Sequence, residues 1–210
     1  MDSTSPRGRA HVLVLPGGKP SSHAGTRPWH LTSVRMALLT EALRSRLTGH
    51  GITVGQVRYG VRGWNGDRMS PVHDALRALD ATLDRRPDTR IGLVGHSMGG
   101  RVAAHLAAQN GVEAVVALAP WWPDNDAELV PAGRRLLVAH GTGDRWTDPA
   151  SAESQTAAAL LRGVDATWCP LPGAGHFMLT RPGWWHSVTA DFLIDALTPE
   201  TSSTGGNHDA

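Results

Sequence analysis

One cysteine, one tyrosine and two phenylalanines are all that 210 residues hold of those three types. The lone Cys169 excludes an intramolecular disulfide and a multi-cysteine zinc site, and it fits a reducing compartment. Charge of one sign is also missing. Twenty Lys and Arg against 19 Asp and Glu leave a net +1, with no block of like charge, so nothing offers a basic field to nucleic acid or to an anionic membrane. The longest apolar runs are strand-sized, far short of a membrane span, and residues 1–10 lack the apolar centre of a signal peptide. No G-x-G-x-x-G follows the first apolar run, no P-loop occurs, and no two histidines stand at metal-binding helical spacing. The expectation is a cytoplasmic protein with no cofactor, no metal, no nucleic-acid partner and no stable membrane insertion.

What is present is rhythm. Short β-branched runs alternate with longer amphipathic stretches, the pattern of a parallel sheet with crossover helices. Strands are predicted at 10–15, 52–59, 90–94, 112–119, 135–139 and 166–171. Between them, residues 31–48 set Met36, Leu39, Leu43 and Leu47 on one helical stripe, and a helix over about 70–85 has Val72, Leu76, Leu79 and Leu83 on its own. Ser70-Pro71 reads as that helix's N-cap and first residue. Further helices are predicted over 101–109, 148–162 and 184–197. The expected fold is α/β, a single doubly wound domain over 10–198 with a mostly parallel sheet of about six strands. Residues 1–9 read as a disordered lead and 199–210, rich in Ser, Thr and Gly, as a disordered tail.

The third strand runs into Gly95-His96-Ser97-Met98-Gly99-Gly100. In a G-x-S-x-G turn between strand and helix the serine backbone is strained and its neighbours must be small, so that the hydroxyl stands free above the sheet edge. A serine hydroxyl is a poor nucleophile near neutral pH and needs an adjacent base, commonly a histidine oriented by a carboxylate. Two later segments offer those groups after strands: His140-Gly141-Thr142-Gly143-Asp144 and Gly173-Ala174-Gly175-His176-Phe177.

Together the three segments, in the order Ser, Asp, His, resemble the α/β-hydrolase superfamily over about residues 10–197. That resemblance implies Ser97 as nucleophile, Asp144 as acid and His176 as base. Rival acids are Asp148, better explained as the cap of the next helix, and Asp124 or Asp126 after the fourth strand; His96 and His140 are better explained as packed, hydrogen-bonded rings. The resemblance also implies two backbone donors for a developing oxyanion, the amide of Met98 and one from the loop after the first strand. Where relatives often read His-Gly-x, this chain has Pro16-Gly17-Gly18, which aligns Gly18, with Lys19 as the alternative.

The stretch 120–133 after the fourth strand is too short for a large cap, and the first two strands common in such proteins are absent, so a compact, capless hydrolase open to solvent is expected. Eight tryptophans break from average usage. Trp121, Trp122 and Trp146 lie on loops at the catalytic edge, as an aromatic wall for substrate or as packing; Trp29 and Trp64 lie on loops able to reach the same edge; Trp168, Trp184 and Trp185 read as core. The implied activity is cleavage of a small-molecule carboxylic ester or thioester through an acyl-Ser97 intermediate. The alternatives are an acyltransferase or cofactor-free perhydrolase using the same residues, and a non-catalytic binding protein on the same scaffold.

Overall fold

The computed structural model describes residues 10–27 and 31–199. The expected lead 1–9, the tail from 200 onward and Trp29 lie outside them. Six strands form one sheet: β1 Ala10–Leu15, β2 Ile52–Gln56, β3 Arg90–His96, β4 Val112–Leu118, β5 Arg135–Gly141 and β6 Asp165–Leu171. All are parallel, in the order β2-β1-β3-β4-β5-β6. Five helices flank them: α1 Leu31–Leu47, α2 Ser70–Arg85, α3 Met98–Leu106, α4 Pro149–Leu161 and α5 Pro182–Leu197.

Strand residues alternate between two cores. Val12 and Val14 of β1, with Val116, Leu118 and Leu137, pack under α1 and α5, whereas Leu13 and Leu15, with Leu93, Val115 and Val138, pack under α2, α3 and α4. Right-handed crossovers require this division. The chain moves outward from β1 to β2 through α1, then reverses and advances toward β6 through α2, α3 and α4, so the later helices fall on the opposite face. The reversal makes a topological switch point between β1 and β3, where open α/β sheets bind ligands at the carboxyl ends of their strands. The α1 stripe Met36, Leu39, Leu43 and Leu47 is buried as expected.

Several boundaries differ from expectation. β2 stops at Gln56, not 59, because its only neighbour, β1, ends at Leu15 before Pro16; Val57 N–H makes the last bond, 2.9 Å to Val14 O. β3 continues through His96 and α3 begins at Met98, so helix replaces most of the expected turn. Ser70 is the first helical residue of α2; the cap position belongs to Met69 in the left-handed region (φ 40°), with no side-chain cap. Of the stripe expected on α2, Leu79 is buried and Val72, Leu76 and Leu83 are half-buried, while Ala75 is buried in their stead. The β4–β5 connection carries only a short 3-10 turn, Asp126–Leu129. No helix among the described residues is long and apolar enough to cross a membrane.

Candidate active site

With β3 ending at His96 and α3 starting at Met98, Ser97 makes the turn alone, at φ 56° and ψ −119°. A non-glycine residue there is strained and persists only where its surroundings over-determine it. They do: Ser97 N–H donates to Leu118 O at 3.0 Å, and Ser97 O accepts from Gly100 N (2.9 Å) and Trp121 N (3.1 Å). A Cβ on Gly95 would run into the Gly99 backbone, and one on Gly99 into the Leu15 carbonyl. The two glycines let strand, helix and the end of β1 close around the serine.

Asp144 follows β5 and is buried. Its Oδ1 accepts from the Trp146 and Thr147 amides (2.7 and 3.0 Å), and its Oδ2 from the Thr147 hydroxyl and His176 Nδ1, both at 2.8 Å. Burial alone would raise this carboxyl, but the hydrogen bonds from His176, the two amides and the hydroxyl together hold it well below the usual carboxylate range. An ionised carboxylate only accepts, so Nδ1 of His176 carries the proton and Nε2 is left to accept from Ser97 Oγ at 3.0 Å. The hydroxyl, imidazole and carboxylate thus form one continuous chain.

Two residues steady that chain. His96 Nε2–H donates to the His176 carbonyl at 2.9 Å. Burial, and then the neighbouring His176, push His96 down to about 3, so it is neutral and acts as a fixed donor. Thr147 Oγ1 lies 3.2 Å from Nε2 of the fully buried His140 and 3.4 Å from His176 Nδ1. Sequence reasoning passed over Thr147; its signal is a hydroxyl residue three positions after the carboxylate, able to turn back on it.

Met98 is the first residue of α3, where a helix leaves its N–H groups without internal partners, and the helix dipole favours negative charge. Against it lies the loop after β1: a Cβ on Gly17 would stand 3.4 Å from Ser97 Cβ, and one on Gly18 would strike the Met98 side chain. Lys19 N–H is committed to Arg62 O at 2.9 Å, whereas Gly18 N–H has no backbone acceptor among the described residues.

The rival carboxylates have other duties. Asp148 Oδ1 accepts from the amides of Ala150 and Ser151 (3.0 and 3.1 Å), the N-cap of α4. Asp126, buried, pairs with Arg101 Nε at 2.7 Å, and Asp124 takes the same guanidinium. Arg101 lies over Trp64 (4.2 Å) and Trp121 (5.0 Å), fixing the residue whose amide holds Ser97. Among the described residues no three His, Cys, Asp or Glu side chains gather as a metal-ligand set.

Two clefts open at this edge. One of about 620 Å³ lies over β4 and β5 between Trp121, Trp122, Trp146, Arg145, Asp148 and Pro149; another of about 440 Å³ lies toward β1 and β2 between Pro20, Trp64, Met69 and Trp121. Trp122 is packed as well as lining, its indole N–H donating to Gly100 O at 3.2 Å, and Trp64 is buried. Trp146 is 73% exposed, stacked on the His176 ring (6.5 Å between centroids, 27° between planes) and edge-on to Phe177. Trp185 is buried and Trp168 and Trp184 are partly buried, all against the core as expected.

Residues 15–137 match the family model described as alpha/beta hydrolase fold. Solved structures agree in fold. A putative alpha/beta hydrolase of Agrobacterium tumefaciens superposes with a TM-score of 0.71 at 18% identity over 95% of this chain and 92% of its own. A serine hydrolase without a lid from Xanthomonas campestris gives 0.68 at 20% identity, over 94% and 88%. An esterase of Pyrococcus furiosus gives 0.67 at 16% identity, over 90% and 82%. No curated protein sequence matches the chain. At these identities the likeness is one of fold alone.

Proposed function

The chain belongs to the alpha/beta hydrolase fold family, and from that premise we propose that it hydrolyses carboxylic esters or thioesters through an acyl-Ser97 intermediate. The observation that carries this reading is the unbroken chain from Ser97 Oγ through His176 to Asp144, at 3.0 and 2.8 Å. As Ser97 Oγ attacks the carbonyl carbon, its proton passes to His176 Nε2, and Asp144 stabilises the imidazolium. The carbonyl oxygen gains negative charge between the amides of Met98 and Gly18; one such donor contributes roughly 3–4 kcal/mol to lowering the barrier. His176 hands the proton to the departing oxygen or sulfur. Water, deprotonated by the same nitrogen, then attacks the acyl-enzyme and releases the acid and free Ser97.

The described residues carry no cap over Ser97, which favours water over other acceptors. The Xanthomonas neighbour is called a serine hydrolase and the Pyrococcus neighbour an esterase, in keeping with ester cleavage here. The test is labelling by a fluorophosphonate together with hydrolysis of short p-nitrophenyl esters. Ser97 is expected to take the label, and Ser97→Ala to lower kcat by about 10⁴-fold or more with the fold intact. A folded protein that refuses the label and cleaves no ester overturns the reading.

A further inference from the structure

We infer that specificity resides mainly in the alcohol half of the substrate, and that this alcohol is a six-membered ring bearing further hydroxyl groups, as in an acylated sugar. The inference rests on the ester-hydrolase reading and adds the direction in which the substrate lies. Along the sheet edge the groups fall in the order β1 (Gly18), β3 (Ser97), β4 (Trp121), β5 (Asp144 and Trp146) and, beyond it, His176 after β6. The carbonyl oxygen must point to the Gly18–Met98 side. In acylation the bond between Ser97 Oγ and the carbonyl carbon forms, the bond from that carbon to the alcohol oxygen breaks, and the proton taken from Ser97 passes from His176 Nε2 to that oxygen. The departing oxygen therefore leaves beside the imidazole, and the rest of the alcohol extends over whatever adjoins it. His96, Phe177 and Trp146 all adjoin it, and of these three rings Trp146 is the one that lines a cleft, the larger of the two. The smaller cleft, across the shared wall of Trp121, is left for the acyl group.

The lining says what the alcohol is. Trp146 leaves 73% of its surface to water, with its backbone amide bonded to Asp144 Oδ1 and its ring beside those of His176 and Phe177. An exposed indole beside the serine and histidine offers a stacking platform for a flat face. Around it stand unspent polar groups. Arg145 is exposed with no carboxylate partner among the described residues, and Asp148 uses only Oδ1 in capping. A hydrocarbon ring has no use for them, while a ring rimmed with hydroxyls meets guanidinium donors and carboxylate acceptors together.

The experiment compares kcat/KM for four acetates under one set of conditions: ethyl, phenyl, cyclohexyl and a mono-acetylated methyl glucoside. The glucoside is expected to exceed ethyl and cyclohexyl acetate by about tenfold or more, the range one pocket contact supplies, and Trp146→Ala is expected to collapse that ratio. In wild-type protein, lengthening the acyl chain on a fixed ethyl alcohol is expected to change kcat/KM less. Cyclohexyl acetate matching the glucoside overturns the hydroxylated ring, and ethyl acetate matching it, or a ratio unmoved by Trp146→Ala, overturns the cleft assignment; phenyl acetate, with its better leaving group, serves to register Ser97-dependent turnover, which in either case leaves the hydrolase reading standing. Should no ester turn over, titrating the Ser97→Ala protein with the four acetates and following tryptophan fluorescence decides the matter. Saturable quenching by the glucoside alone supports the inference, and its absence overturns it.

Discussion

In the proposed reaction the proton moves between Ser97 and His176 while Asp144 stays ionised and steadies the imidazolium, and the alignment of the three depends on the side chains around them. The Thr147 hydroxyl donates to the oxygen of Asp144 that faces His176. Removing it takes away one of the bonds that orient the carboxylate. Thr147→Val is therefore expected to lower kcat about tenfold, a part of the roughly 10²–10⁴-fold that a positioned general base contributes, with KM little changed, and Thr147→Ser to restore it. An unchanged kcat with a lower melting temperature would reduce Thr147 to a packing role. At this scale the three side chains that the structure joins by hydrogen bonds were plain in the sequence, since each sits in a short motif after a strand. Thr147 left only a local mark, a hydroxyl three positions after the carboxylate, and the His96 bond to the His176 carbonyl left none, because it joins residues 80 apart.

At the scale of elements, the turn at Ser97 is a three-way junction of β1, β3 and α3. Gly99 lies where the helix presses on the last carbonyl of β1. Gly99→Ala must push the two apart, at a cost of about 1–3 kcal/mol or more, and is expected to abolish fluorophosphonate labelling while lowering the thermal midpoint. Normal labelling at an unchanged midpoint would show that the junction has slack. The strand and helix order was legible because binary patterning follows from burial on two faces. So was the Asp148 cap, whose chemistry is local. Boundaries were less so. β2 ends early because its neighbour does, and β3 runs on through Gly95 and His96 because β4 pairs with them. Pairing of that kind is tertiary and leaves no mark on the strand itself. Trp64 does reach the Ser97 edge of the sheet, where it lines the smaller cleft, but its burial under Arg101 was not legible, since it depends on a partner far along the chain.

At the scale of the whole molecule, proton uptake opposes the fold. His96 stays neutral down to about 3, and burial, acting first, also depresses His11, His140 and His186. The unfolded chain takes up these protons near pH ~6.5, so the stability they confer is intact above that value and drains away as pH falls below it. Asp144 adds to the loss at lower pH: its folded-state value is depressed, so its contribution is present above ~3.9 and vanishes as the acid range is crossed. The urea midpoint is expected to decline steadily from pH 7 to pH 4, and His96→Phe to flatten part of the slope. A midpoint that holds level over that interval would contradict the buried neutral state of these rings.

The sheet is parallel throughout, and that has a consequence in time. Without hairpins, every strand pair waits for a crossover to close, and such topologies fold slowly. β1 meets β3 only after α1, β2 and α2 have been threaded between them, and His176 arrives with the final strand. The proposed ester cleavage should thus be the last property regained when denatured chains are diluted from urea, trailing the helical dichroism signal, and chains ending before residue 165 should hydrolyse nothing at any stage.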